Sequence, residues 1–509
     1  MSVKIQKILL RNTATNYINL VWQMVTALFI TRFMFLGLGE HLYGYWALLW
    51  TIFGYSLLLD FGFGTSVQKY SAELTVTKDY DKFNNLISAV ITSYGLMSVI
   101  IIAATLLGVY WFESFFPNVE PEKLEYYKNI FLCFGIGTGL CFPSGIMPEI
   151  LHGLMRADLK NYVNLGVHTL NILGVYFILE WGYSLLVLTV FTLSLNLFAN
   201  VVMFVIIKRI VPEVSLSISK VKMKYIKEIS SFSFYAYVFT IATMIIFRTD
   251  KIVLNFMLTM GAITIYHIGT RVPEIMEKLT GQFQSNLTPI AASLYKEGNT
   301  EKLNRILLKS NRLAAFLAVG SFAIFYFLAS PILYVWLDVT DETATLITQI
   351  MLVSVFVSVM FRSASFRFLQ MAGKHKILTL IVGVEAIVNI LLSISLVGKY
   401  GVVGVAVGTL VPNVIISLLI VFPMFCKFSS TSILGYLKKV YIPVLITSLP
   451  TVALLFFIKR EMVLADWSLF RLIVAVGLSG VVYLVSAYFI FLESDEKNGL
   501  LTKMPFGNR

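Results

Sequence analysis

The chain has 509 residues, of which 58% are hydrophobic and only 13% charged, with a mean hydropathy of +0.81. Soluble domains carry about 25% charged residues and keep a polar shell even when large, so a soluble enzyme or regulator is excluded. The net charge of +12 reads as the basic loops of a cytoplasmic membrane face. It does not imply a nucleic-acid partner. The expected fold class is an all-α polytopic membrane protein with about fourteen transmembrane helices.

In chain order, the first six apolar runs lie near Thr13–Met34, Tyr43–Gly62, Leu86–Trp111, Asn129–Pro148, Tyr162–Leu179 and Tyr183–Ile207. Lys4, Lys7 and Arg11 precede the first run and no small-residue cleavage site follows it, so it reads as an uncleaved anchor. Residues 1–207 are expected to form one six-helix bundle, and residues 208–229 a basic cytoplasmic linker. Six more runs follow near Ser230–Asn255, Ala262–Ala291, Leu313–Leu337, Thr345–Met371, Leu378–Val397 and Val402–Phe425, giving a second bundle over residues 230–426. Val440–Ile458 and Ser468–Phe491 add a helix pair, with a cytoplasmic tail, over residues 427–509. Lys and Arg concentrate in alternate loops, for example Lys69, Lys78 and Lys82, then Lys302, Arg305, Lys309 and Arg312. That asymmetry places both termini on the cytoplasmic side.

The two halves echo each other. Aligning Asn171 with Asn389 pairs Leu151 with Leu369 and Arg156 with Lys374. Each copy has a basic turn followed by a span ending in Asn-Ile-Leu, and repeats of this kind suit a transporter with a central cavity.

The chemistry is charge inside the apolar runs. There is no phosphate-binding loop and no His/Cys/carboxylate cluster at metal spacing, and Cys133, Cys141 and Cys426 read as packing residues. Arg32, Arg248, Lys251, Arg271, Lys278, Arg362 and Arg367 fall in or near spans, against Asp60, Asp250, Glu274, Glu277 and Glu385. Each uncompensated charge at mid-bilayer costs about 3 kcal/mol, so such residues face a partner or water. The positive excess suits an anionic substrate, such as a phosphate-bearing lipid. Arg271, with Arg32, Arg362, Arg248 and Lys278, forms the candidate cationic cavity. Asp60, Asp250, Glu274 and Glu385 are the candidate gates or ion-pair partners, and for Arg271 an ion pair with Glu274 is the competing reading.

The stretch from Leu36-Gly37 through Tyr43-Gly44, Trp46 and Leu59-Asp60-Phe61-Gly62 to Tyr70–Glu73 resembles the start of bacterial polysaccharide flippases. These are the Wzx-type members of the multidrug/oligosaccharidyl-lipid/polysaccharide exporter superfamily. The segment Arg248–Glu274 and the basic turns LHGLMRADLK and LQMAGKHK carry the same resemblance, which extends through about Phe425. It implies two six-helix bundles in a V shape with a helix pair behind. It also implies alternating-access transfer of an undecaprenyl-pyrophosphate-linked oligosaccharide from the cytoplasmic to the outer leaflet of the bacterial inner membrane. Polysaccharide polymerase and chain-length regulator partners follow from the same likeness. Lipid II flippases of the superfamily use an arginine in the eighth helix, and Arg271 looks like that position. No cofactor is expected, and the sequence leaves coupling to Na+ or H+ open. The competing functions are a cation-coupled multidrug exporter of the same superfamily and a membrane glycosyltransferase or ligase.

Overall fold

A computed structural model describes residues 3–215, 234–285, 300–429 and 431–492. Every regular element among them is a helix. Most of the expected linker, the end of the expected eighth span and the tail lie outside the described residues. Ten helical stretches are long and apolar enough to cross a membrane, and the chain is a multi-pass membrane protein. Many large apolar side chains on these helices point outward, among them Leu96, Val99, Leu380, Leu391 and Leu449. A helix that is apolar all round has its outer face in lipid.

The chain divides into two compact units, Met1–Met244 with Leu254–Thr264, and Ile245–Val253 with Ile265–Arg509. In the first, α1 (Val3–Gly54) is broken at Gly39, whose φ of 74° no side-chain-bearing residue adopts readily. The expected first and second spans lie on either side of that break. A 3-10 turn, Tyr55–Asp60, and two left-handed residues, Phe61 and Gly62, lead into α2 (Phe63–Thr77). Then come α3 (Tyr80–Tyr110), α4 (Leu124–Cys141), α5 (Met147–Gly153), α6 (Ala157–Glu180) and α7 (Leu185–Ile210). Asp79 caps α3 by accepting the Lys82 N–H at 2.9 Å. Helix α1 packs along α6, and α4 lies against α3 and α7. Buried Asp158 ties α6 to the start of α1. It takes Arg11 at 3.0 Å and Arg156 at 3.1 Å, while its N–H donates to Asn12 Oδ1. Trp46, Trp50, Phe53 and Phe134 meet with ring centroids 5.1–5.8 Å apart, mostly edge to face, the arrangement that ring quadrupoles favour.

Helices α8 (Phe234–Met257) and α9 (Met260–Ser285) stand where the seventh and eighth spans are expected. Arg248, Asp250 and Lys251 on one, and Arg271, Glu274, Glu277 and Lys278 on the other, keep them off the strictly apolar set. The second unit continues with α10 (Thr300–Phe327), α11 (Ala329–Leu337), α12 (Glu342–Val357), α13 (Ala364–Met371), α14 (His375–Ile416), α15 (Phe422–Phe428), α16 (Ile442–Glu461) and α17 (Leu469–Ser486). Helix α14 repeats the device of α1, with Gly401 at φ 56° between the expected eleventh and twelfth spans. It packs on α12, while α10, α16 and α17 pack together.

The internal echo is present in the backbone. At the end of α5 the Met155 N–H donates to His152 O at 3.1 Å and the Arg156 N–H to Leu151 O at 2.9 Å, with Met155 at φ 59°. At the end of α13 the Gly373 N–H donates to Gln370 O and the Lys374 N–H to Leu369 O, both at 3.0 Å, with Gly373 at φ 73°. This is one helix-ending motif, made twice by residues paired in the same register as Asn171 and Asn389.

Candidate functional site

The second unit holds a charge cluster. Lys251, on α8, is close enough to Arg248 and Arg271 to be repelled and to Asp250 and Glu274 to be attracted. Arg271, about three turns into α9 and two residues before Pro273, pairs with Glu274 at 3.0 Å in the i,i+3 arrangement, their side chains 29% and 37% exposed. Around Lys251 stand two further cations and two carboxylates, and Glu277, close to Glu274, Lys278 and Arg362, extends the cluster, so that with Lys278 included it holds four cations against three carboxylates besides Arg362. Asp250 is buried, and its Oδ2 accepts the hydroxyls of Tyr266 and, at 2.9 Å, Thr409. Asn389 Nδ2 donates to that same Thr409 oxygen at 2.9 Å. Asp250 Oδ1 and Asn389 Oδ1 are both buried without a hydrogen-bond partner. Orphaned buried oxygens of this kind are costly unless a cation or proton meets them. An all-oxygen donor set suits a hard cation or a proton.

A second charge site is more deeply buried. Arg362 lies in a π-helical turn, Ser358–Ser363, between α12 and α13. Such turns displace a side chain from its α-helical direction. Arg362 meets Glu385 of α14 at 2.6 Å, with side chains 15% and 1% exposed, and also donates to Asn413 Oδ1 at 3.3 Å. The guanidinium stands 4.8 Å from the centre of the Phe366 ring. Asn413 Nδ2 is held by the Ser354 carbonyl and hydroxyl, at 2.9 and 2.7 Å. Arg367 donates to the Gly281 carbonyl at 3.4 Å. Lys278 is exposed and Arg248 half-buried, both in the second unit, and Arg32 is half-buried in the first.

Asp60 is in the first unit. Its Oδ1 accepts the Gly64 N–H at 3.1 Å and the Tyr94 hydroxyl. It borders a cavity of about 520 Å³ lined by α1, α2, α3, α4, α5 and α7.

The structure thus brings together Arg248, Asp250, Lys251, Arg271 and Glu274, joins Arg362 to Glu385, and leaves Arg32 and Asp60 in the other unit. Sequence reading missed the neutral groups that complete these sites: Tyr266, Thr409, Asn389 and Asn413. The signal available was Asn389 in the repeated Asn-Ile-Leu element. The cavity residues Gln68, Glu149, Asn196 and Asn200 were also missed, although the last two are four apart on one helix face.

The family described as "Polysaccharide biosynthesis protein" matches residues 159–339. An uncharacterized membrane protein, EpsK, of Bacillus subtilis (strain 168) is 22% identical over 442 residues, covering 85% of each chain. A putative O-antigen transporter of Salmonella typhi is 22% identical over 387 residues, covering 74% of this chain and 86% of that protein. Among solved structures, the lipid II flippase MurJ in an inward closed conformation superimposes with a TM-score of 0.70 at 17% identity, over 94% of this chain and 98% of its own. An inward-facing multidrug resistance transporter of the MATE family gives 0.59 at 15%, over 81% and 94%. The chain therefore carries the polysaccharide biosynthesis family's signature over residues 159–339 and has the fold of the transporters and flippases of the MOP superfamily.

Proposed function

We propose that the chain is a flippase for polyprenyl-pyrophosphate-linked oligosaccharides in surface polysaccharide synthesis. It moves the repeat unit from the cytoplasmic to the outer leaflet of the bacterial plasma membrane, with both termini cytoplasmic, and hands it to a polymerase and chain-length regulator. The observation that carries this reading is the net-cationic cluster of Arg248, Lys251 and Arg271 against Asp250 and Glu274. With Lys278 and Glu277 counted as well, one cation stays in excess and retains attraction for an anion, and guanidinium groups pair well with phosphate oxygens. The Arg271–Glu274 pair is part exposed, so a pyrophosphate can exchange for Glu274. Arg362 is held by a buried carboxylate, and the proposal does not depend on it.

Alternating access needs an energy source. The Asp250–Thr409–Asn389 oxygens fit Na+ or H+ coupling, with ion binding stabilising one of the two access states. A multidrug exporter shares the fold, but its usual cationic substrates would be repelled by this cluster. The proposed test is Arg271→Ala in a strain whose own flippase is deleted. It should abolish surface polysaccharide and leave the lipid-linked repeat unit on the inner leaflet while the protein inserts normally. Full-length polymer at normal abundance in that strain would rule the proposal out.

A further inference from the structure

The cavity in the first unit has the opposite chemistry to the cationic cluster, and among the described residues its lining contains no lysine or arginine. Two carboxylates border it, each anchored by one oxygen. Asp60 Oδ1 is held by the Gly64 N–H and the Tyr94 hydroxyl, and Glu149 Oε2 by the Gln68 amide. Asp60 Oδ2 and Glu149 Oε1 have no hydrogen-bond partner among the described residues. The amides on α7 behave alike. Asn196 Nδ2 donates to Thr192 O and Asn200 Nδ2 to Ser144 Oγ, both at 3.0 Å, and neither Oδ1 has a partner among the described residues. Four acceptor oxygens are thus fixed around one cavity, with no lysine or arginine among its described lining residues to answer them. Trp50 adds an aromatic face to the wall and is itself held edge-on by Trp46 and Phe134.

An acceptor-rich, anionic cavity with an aromatic wall selects a ligand that brings donors and apolar C–H faces. Phosphate and pyrophosphate bring neither and are repelled, and a uronate sets its own carboxylate against Asp60 and Glu149. A pyranose brings several hydroxyl donors on a flat C–H face, and an amino sugar adds a cation. A volume of about 520 Å³ is in the range of small-ligand sites and holds roughly one or two sugar rings.

We infer that this cavity is the sugar subsite of the transporter, taking a neutral or amino-bearing pyranose of the oligosaccharide. This rests on the flippase reading and adds to it the class of sugar. Anchoring by Gly64, Tyr94, Gln68, Ser144 and Thr192 fixes the acceptors before the ligand arrives, so little ordering is needed on binding.

The test uses the full chain in lipid nanodiscs and three short-chain prenyl pyrophosphates: one bare, one carrying N-acetylglucosamine and one carrying glucuronic acid. The N-acetylglucosamine lipid should bind about tenfold or more tighter than the bare lipid, the size of one hydrogen bond to a charged acceptor. The glucuronic acid lipid should show no such gain. Glu149→Gln and the near-isosteric Asn196→Leu/Asn200→Leu should each remove the gain, with bare-lipid affinity unchanged as the sign that the variant is folded. A gain that survives in both variants, equal binding of the uronate lipid, or displacement of the sugar lipid by the drug cation ethidium each overturns the assignment. Failure of wild type to bind even the bare lipid would instead overturn the flippase reading.

Discussion

Replacing Arg362 by Met should destabilise the protein far more than replacing Arg362 and Glu385 together. At 2.6 Å and an effective dielectric near 20, the Coulomb attraction alone is roughly 6 kcal/mol. Desolvating Glu385, whose side chain is 1% exposed, offsets much of that. Its Oε2 already lacks a partner, so Arg362→Met leaves a carboxylate enclosed with no cation, at about 3–5 kcal/mol. Arg362→Met with Glu385→Leu removes both charges, retains volume and should recover most of the loss. The assay is tryptophan fluorescence on heating in nanodiscs, run as a double-mutant cycle beside a surface-polysaccharide measurement. Stability and polymer should recover together in the double variant. Additive losses would refute the pairing, and recovered stability without polymer would show that Arg362 also meets the substrate.

Asp250→Asn should leave Tyr266 and Thr409 their acceptor while removing the charge beside the orphaned oxygens. Flipping in proteoliposomes should then lose its dependence on an imposed Na+ or proton gradient, and retained dependence would place coupling elsewhere. Gly44→Leu would drive a side chain into the Met260 carbonyl, which a bare Cβ would already contact. Even Gly44→Ala should cost about 1–3 kcal/mol of thermal stability. The two helix-ending turns should respond oppositely. Met155→Gly should raise the melting temperature slightly by relieving φ 59°, and Gly373→Ala should lower it, for a stability cost of about 1 kcal/mol at φ 73°.

The helices were legible because membrane spans need long apolar runs, which composition cannot hide. Gly39 and Gly401 mark breaks that hydropathy averages over, so each pair of spans is joined more continuously than a loop-based reading expects. The Arg271–Glu274 pair was visible from i,i+3 spacing. Arg362–Glu385 was not, because its members lie 23 residues apart on separate helices and a π-helical turn sets the direction of one. The acceptor cavity was hidden for another reason. Neutral amides in apolar helices carry no charge signal, and Asn196 and Asn200 acquire meaning only when α2 and α5 bring Gln68 and Glu149 to the same space.

The repeat explains how one architecture can hold two opposite chemistries. Helices α5–α6 and α13–α14 share a turn bond for bond, so the backbone of each unit answers to the same constraint. The first helix after the turn carries Asn171 in one copy and Asn389 in the other, each with a buried Oδ1 lacking a hydrogen bond. Around Asn389, Thr409 and Asp250 complete a polar chain; no such bonded chain is recorded for Asn171 among the described residues. Around the first unit's cavity the acidic and amide acceptors come from α2, α5 and α7 and from the turn after α1. Charge thus diverged while the turn geometry stayed fixed. An anion is attracted by the second unit's cluster and repelled by the first unit's cavity, so each unit keeps its own chemistry on a shared turn.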